Sequence, residues 1–276
     1  MTDTTAVTPL QILTPLPDDR PPVRVVVFDF DGTISTLRFG WEEIMAPLMV
    51  EMIAGATAPT EAMRAEVAAF IDDSTGIQTI HQMMWLAEAV QRYGLNPEVH
   101  DGWWYKAEYN RRLLEPVNAR AARVVNGEVP PEAYMMAGSG AFLEALRAAG
   151  ITMYVASGTD HPDVVREIGY LGLTDYFVEI AGSPVGAIDC SKEAVLRRLV
   201  HEAGLTGPEV AVFGDGRVEI TLGREVGAVT VGVATDEVAR HGLNPVKVNR
   251  LTQAGAHAIT GDFTDRDALL AFLKVG

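Results

Sequence analysis

The chain has 276 residues, with 22 Lys and Arg against 37 Asp and Glu, a formal net charge of −15. Hydrophobic residues make up 48%, which supplies a packed core and excludes a wholly disordered chain. So acidic a chain has no electrostatic reason to bind nucleic acid or an anionic membrane surface, and its single cysteine, Cys190, excludes an intramolecular disulfide framework and a cysteine-rich zinc site.

Residues 1–22 are polar and Pro-rich, without the basic start and continuous apolar stretch of a signal peptide, and read as a flexible arm. Val23 to Phe30 is a β-branched run ending in Asp-Phe-Asp-Gly-Thr, the pattern of a buried parallel strand followed by a loop. The stretch 36–136 then breaks into helical patterns. Pro59 to Ile71 and Ile77 to Tyr93 are the clearest, with Ile80, Met83, Met84, Ala87 and Val90 on one side of the second, and Trp103 to Leu114 is a third. Trp103, Trp104 and Tyr105 are expected to pack inside this helical unit. Ile44 to Pro59 is the most apolar segment, but Pro47 and Glu51 interrupt it and it is too short to span a bilayer. A cytoplasmic, membrane-free protein is expected.

From residue 137 onward, helices and strands alternate. Strands are expected at Ile151–Ala156, Tyr176–Ile180, Val210–Phe213, Ala228–Val233 and His257–Thr260. Helices are expected at Gly140–Ala149, Asp163–Leu171, Lys192–Ala203 and Glu219–Val226. This rhythm implies an α/β fold: a doubly wound, Rossmann-like parallel sheet core formed by 23–35 and 137–276, interrupted after its first strand by an inserted α-helical unit, 36–136.

In an open parallel sheet, ligands bind beyond the carboxyl ends of the strands. The polar residues expected there are Asp29 and Asp31 after the first strand, Ser157, Gly158 and Thr159 after the second, and Asp215 and Glu219 after the fourth; Lys192 opens the preceding helix. Carboxylates converging on one edge repel unless a cation joins them, and oxygen-only ligands suit Mg²⁺. Lys192 stands at a helix N-terminus, where a cation opposes the dipole, which hints at an external anion.

With these residues in this order the chain resembles the haloacid dehalogenase superfamily, in its phosphatase branch. Asp29-Phe30-Asp31-Gly32-Thr33 is similar to the first motif, Ser157-Gly158 to the second, Lys192 to the third, and Gly214-Asp215-Gly216-Arg217-Val218-Glu219 to the acidic fourth, with Glu in place of the usual second Asp. The resemblance implies a Mg²⁺-dependent phosphatase acting on a small phosphorylated metabolite such as a phosphosugar. Asp29 is then the nucleophile that forms an aspartyl-phosphate, and Asp31 the acid and base. Ser157, Gly158 and Lys192 bind the phosphoryl oxygens. Asp29, Asp31 (through its carbonyl), Asp215 and Glu219 hold the metal, Glu219 directly, through water, or by holding Lys192 instead.

The resemblance makes the insertion, by its position, an α-helical cap domain, 36–136, and implies that it sets substrate choice. Arg38, Thr75, Gly76 and Gln78 are candidate substrate contacts, with Phe39 and Trp41 beside Arg38; Ser74 or Thr75 could equally only cap the helix that starts near Ile77. A phosphosugar mutase of the same build and a catalytically idle phospho-ligand-binding protein are the alternatives. The oligomeric state is not legible.

Overall fold

A computed structural model describes residues 7–188, 193–194, 197–198 and 206–276. The predicted phosphate ligand Lys192 and the single Cys190 lie outside the described residues. The core is a seven-stranded sheet in the order β1-β7-β6-β5-β2-β3-β4. The strands are β1 Gln11–Ile12, β2 Val25–Phe28, β3 Thr152–Asp160, β4 Glu179–Ser183, β5 Val210–Gly214, β6 Val229–Val233 and β7 Ala258–Thr260. All neighbours pair in parallel except β1, which runs antiparallel to β7.

Strand β2 is central. Val25 stands in register with Val210 on one side and with Thr152 on the other. All four of its side chains are buried, since helices cover both faces, so it reads as an uninterrupted apolar run rather than an alternating one. The chain places β3 and β4 on one side of β2 and β5 to β7 on the other. That reversal of strand order opens a crevice at the carboxyl ends of β2, β3 and β5.

Four α-helices fall in the inserted stretch 36–136: α1 Trp41–Ala54, α2 Glu61–Asp73, α3 Thr79–Tyr93 and α4 Gly102–Val125. Then follow α5 Ser139–Ala148, α6 His161–Tyr170, α7 Arg217–Glu225, α8 Pro245–Gln253 and α9 Arg266–Leu273. Under the sheet, Phe28 lies 5.1 Å from Phe213 and 6.3 Å edge-on from Phe142, and Phe142 stacks on Phe263 at 5.3 Å. The buried faces of the inserted helices join this same apolar cluster.

Several elements depart from the sequence pattern. Helix α4 continues through Pro116 to Val125, well past Leu114, because Tyr105, Tyr109, Leu113, Val117 and Ala121 recur every fourth residue as one buried seam. Trp103 and Trp104 face outward from its first turn, Trp104 stacked on His100, while Tyr105 is fully buried. The strand expected at Tyr176–Ile180 starts at Glu179 instead, after a short turn over Thr174–Tyr176. Helix α1 tolerates Pro47 in its interior and buries Met45, Leu48, Met49 and Ile53. The stretch read as a loose arm is tied down from Thr8 onward: Thr8 Oγ1 donates to Asp262 Oδ2 at 2.8 Å, β1 pairs with β7, and Arg20 bonds the Phe272 carbonyl. Among the described residues no helix is long and apolar enough to cross a membrane.

Candidate active site

The site grows from the end of β2. The Asp29 amide donates to the Phe213 carbonyl at 2.8 Å, extending the β2–β5 ladder by one residue and fixing the Asp29 side chain at the crevice. The chain then turns back: the Ile34 and Ser35 amides both donate to the Phe30 carbonyl, at 2.9 and 3.0 Å. Gly32 takes φ +74°, and a Cβ there would stand 2.3 Å from Asp215 Oδ2, so glycine is required on both counts. The same close approach places the Asp215 carboxylate, at the end of β5, directly on the Asp29–Gly32 loop.

Strand β3 supplies the third edge. Ser157 Oγ accepts from the Thr159 amide at 3.0 Å, and the Thr159 hydroxyl donates to Asp31 Oδ2 at 2.8 Å. The Cβ position of Gly158 lies 2.8 Å from the carbonyl oxygen of Ile77, so the turn between α2 and α3 rests on this backbone.

A cavity of about 90 Å³ lies over these strand ends. Asp29, Asp31, Asp215, Ser157, Gly158 and Thr159 form its floor; Arg38, Trp41, Thr75, Gly76, Ile77, Thr79, Gln82, Tyr109 and Leu113 form its walls. The structure therefore brings together Asp29, Asp31, Asp215, Ser157 and Gly158 with three of the four expected substrate contacts, Arg38, Thr75 and Gly76. Gln78, at the start of α3, is buried but does not line this cavity, and Phe39 lines a separate one of about 450 Å³. Glu219 is 3% exposed and lies off the cavity wall. Its carboxylate packs against Gly76 and Gly216, where added Cβ atoms would come within 2.7 and 2.6 Å of its oxygens.

Charge around the cavity is paired. Arg38 is buried and grips Glu167 from two nitrogens, Nε at 3.0 and 3.2 Å and Nη2 at 2.6 Å. Burial disfavours its charge, but Glu167 and Asp31 outweigh that and hold the guanidinium pKa above its ordinary value. Burial lifts the Glu167 carboxyl above the usual carboxylate range, with Arg38 pulling it partly back. On the other flank Lys247 Nζ donates to Asp215 Oδ2 at 2.7 Å and to Glu237 Oε1 at 2.5 Å. Burial opposes the ammonium there, yet Asp215 and Glu237 keep its pKa above the ordinary lysine value. Burial also pushes the Tyr109 hydroxyl upward, so it stays protonated and can donate.

Lys247, Glu167, Tyr109 and Gln82 are not among the residues expected from sequence. Two had a signal. Asn244-Pro245 is a helix start, and the Asn244 side chain accepts from the amides of Val246 and Lys247. Lys247 thus sits in a first turn, the same misplaced cation that marked Lys192. Glu167 falls on the apolar face of α6 with Val164 and Ile168. Tyr109 and Gln82 carry no signal, because long-range packing alone turns them toward the crevice.

Among the described residues no three His, Cys, Asp or Glu side chains group closely enough to hold a metal by themselves. Two carboxylates facing one cavity, Asp29 and Asp215, still fit Mg²⁺. That ion keeps several waters and commonly takes only one or two protein carboxylates plus a substrate phosphate.

A family model for haloacid dehalogenase-like hydrolases matches residues 23–227. No curated protein matches the sequence. Among solved structures, a predicted phosphatase from Clostridium acetobutylicum superposes with TM-score 0.59 at 16% identity, covering 91% of this chain and 100% of that one. A predicted phosphoglycolate phosphatase from Haemophilus somnus 129pt gives 0.60 at 16%, covering 90% and 97%. A β-phosphoglucomutase from Clostridium difficile gives 0.57 at 14%, covering 91% and 97%. At such identities these likenesses establish the fold.

Proposed function

Because the chain belongs to the haloacid dehalogenase-like hydrolase family, we propose that it is a phosphoric monoester hydrolase that cleaves a small phosphorylated metabolite through an aspartyl-phosphate on Asp29. The observation that carries this reading is the meeting of Asp29, Asp31 and Asp215 with Ser157 and Gly158 on the wall of one cavity. A carboxylate oxygen of Asp29 attacks phosphorus, and the bond from phosphorus to the alcohol oxygen breaks. Asp31 gives its proton to the leaving alkoxide. It then takes a proton from the water that attacks the phosphorus of the aspartyl-phosphate, and phosphate leaves. The Thr159 hydroxyl, 2.8 Å from Asp31 Oδ2, fixes that carboxyl for both transfers. Ser157 and the Gly158 amide donate to the transferring phosphoryl oxygens, with Lys192 as their cationic partner.

Asp29, Asp215 and the Asp31 carbonyl would hold Mg²⁺, which would supply charge neutralisation for a dianionic phosphoryl group. Lys247 leaves that role open, since its bond is to a single oxygen of Asp215. Predicted phosphatases among the structural neighbours support the same reaction class.

The test is release of inorganic phosphate from an aryl phosphate and a panel of phosphosugars, with Mg²⁺ and after chelation. Turnover should require the metal and vanish in Asp29→Asn. An Asp29→Asn protein of full activity rules out the aspartyl-phosphate. Formation of an isomerised phosphosugar with little free phosphate would instead assign a mutase.

A further inference from the structure

Arg38 is the one cation among the described residues that line the active cavity, and it is already engaged. Its Nε–Nη2 edge is spent on Glu167. Two more carboxylates stand close, Asp163 Oδ2 at 3.7 Å from Nη2 and Asp31 Oδ1 at 3.8 Å from Nε. Glu167 is 1% exposed, so solvent does not dilute this pairing. The lysines nearby are committed in the same way: Lys106 bonds Asp160, and Lys247 bonds Asp215 and Glu237. Lys192 is assigned above to the transferring phosphoryl group.

The walls left for the alcohol portion of a substrate are the hydroxyls of Thr79 and Tyr109, the Trp41 ring, and Thr75 and Gln82 as acceptors, since the Thr75 hydroxyl already donates to the Ile71 carbonyl and Gln82 Nε2 to Ser74 Oγ. These can bond a hydroxylated group. A second acid group buried there would lose its water without gaining a free counter-charge, and would meet carboxylates instead.

We propose that Glu167 is a specificity-determining residue: by claiming Arg38 it makes the cavity accept phosphate monoesters whose alcohol portion is uncharged or carries an amine, and refuse those bearing a second acid group. This deepens the phosphatase reading and rests on it.

Three probes of similar size separate the charges: glycerol 3-phosphate, phosphoethanolamine and 3-phosphoglycerate. With Mg²⁺, kcat/KM for 3-phosphoglycerate should be lower than for the other two by about tenfold or more, the loss lying in KM. Glu167→Gln keeps an oxygen for Arg38 but removes the charge, and should narrow that gap by about tenfold. Glu167→Asp keeps the charge and should restore the discrimination; melting temperatures report whether each variant folds. Equal behaviour of the three probes in the unmodified protein overturns the proposal, and so does an unchanged ratio in a folded Glu167→Gln. If no phosphate is released even from an aryl phosphate, the phosphatase reading itself has failed. Calorimetric binding of the same three compounds then still reads the charge preference.

Discussion

A methyl group at Gly158 is the sharpest probe of how the helical insertion meets the sheet. The backbone there has no left-handed φ, so alanine is not excluded by conformation. Space excludes it: the Cβ would lie 2.8 Å from the Ile77 oxygen, 3.3 Å from the Ile77 carbonyl carbon and 3.4 Å from the Gly76 oxygen. Restoring ordinary contact requires the turn between α2 and α3 to back away by about 0.5 Å, and overpacking of this kind costs about 1–3 kcal/mol. The reduced freedom of the unfolded chain returns about 0.4–1 kcal/mol. A net loss of about 1–2 kcal/mol corresponds to a melting temperature lower by roughly 2–6 °C for a chain of this size. The larger effect falls on turnover, because Thr75, Gly76 and Ile77 line the cavity and lie on that turn, with Thr79 directly after it. Misplacing a wall by a sizeable fraction of an ångström should lower kcat/KM by about 10- to 100-fold. Phosphate release from an aryl phosphate and a thermal melt measure the two effects. Gly140→Ala is the control: its Cβ would meet only Met135 Cε at 3.7 Å, inside α5, and should stabilise slightly. A Gly158→Ala protein with unchanged kcat/KM would refute the claim that this turn builds the cavity.

Two further outcomes follow from the buried charges. Lys247→Met leaves Asp215 and Glu237 buried together without their shared donor, and should cost about 3–5 kcal/mol in urea unfolding; a loss under about 1 kcal/mol would mean that solvent screens the pair. The His257 ring, held by Thr230 and Arg224, has its pKa lowered from 6.5 to about 4, burial first and the Arg224 charge second. The unfolded chain therefore takes up this proton first, so stability present at neutral pH should fall by about 2–3 kcal/mol between pH 6.5 and about 4. His257→Gln should flatten that acid slope, and a slope that persists in the variant would assign it to other groups.

The fold was legible where local pattern and global packing agree. Val25–Phe28 has only apolar residues because both faces of β2 are covered, and Asp29, Asp31 and Gly32 break that run as residues poor in strands. Asp29, Asp31, Ser157, Gly158 and Asp215 follow from one rule about strand ends and do not depend on the inserted helices. What sequence leaves open is what a helix presents across space. Tyr109 is one residue of a buried seam on α4, and nothing local distinguishes it from Leu113, which lines the same cavity. Gln78 and Gln82 are four residues apart on adjacent turns, yet only Gln82 reaches the cavity, since Gln78 precedes the first turn of α3 with an extended backbone. Arg38 was legible as a cavity residue, but not its partner Glu167, which is 129 positions away in the chain.

The net charge of −15 bears on this geometry in a way that composition alone conceals. Each carboxylate cluster at the rim of the crevice is met by a cation carried on a different element. Arg38, from the loop before α1, reaches Glu167 on α6; Lys106 on α4 reaches Asp160 at the end of β3; Lys247 on α8 reaches Asp215 after β5. The second ties an inserted helix to a strand end, the first ties the loop before α1 to α6, and all three cations are at least nine-tenths buried. Pairs this deep break only at a high cost in desolvation, so these three cations act as architecture rather than as free charge for an incoming acid. The pairs on the other side of the insertion, Arg250 with Asp72 and Arg217 with Asp73, are longer, at 3.4 and 4.0 Å, and their acids are exposed. The exposed Arg217 pair contributes little, whereas Arg250 is buried and its Nε and Nη1 find no hydrogen-bond partner among the described residues. On the phosphatase reading proposed above, attraction for a phosphate would come from the strand-end amides and hydroxyls, from Lys192 and from a divalent cation on Asp29 and Asp215. All of these would act only over the transferring group, where an acidic protein can bind one phosphate without becoming a general sink for anions.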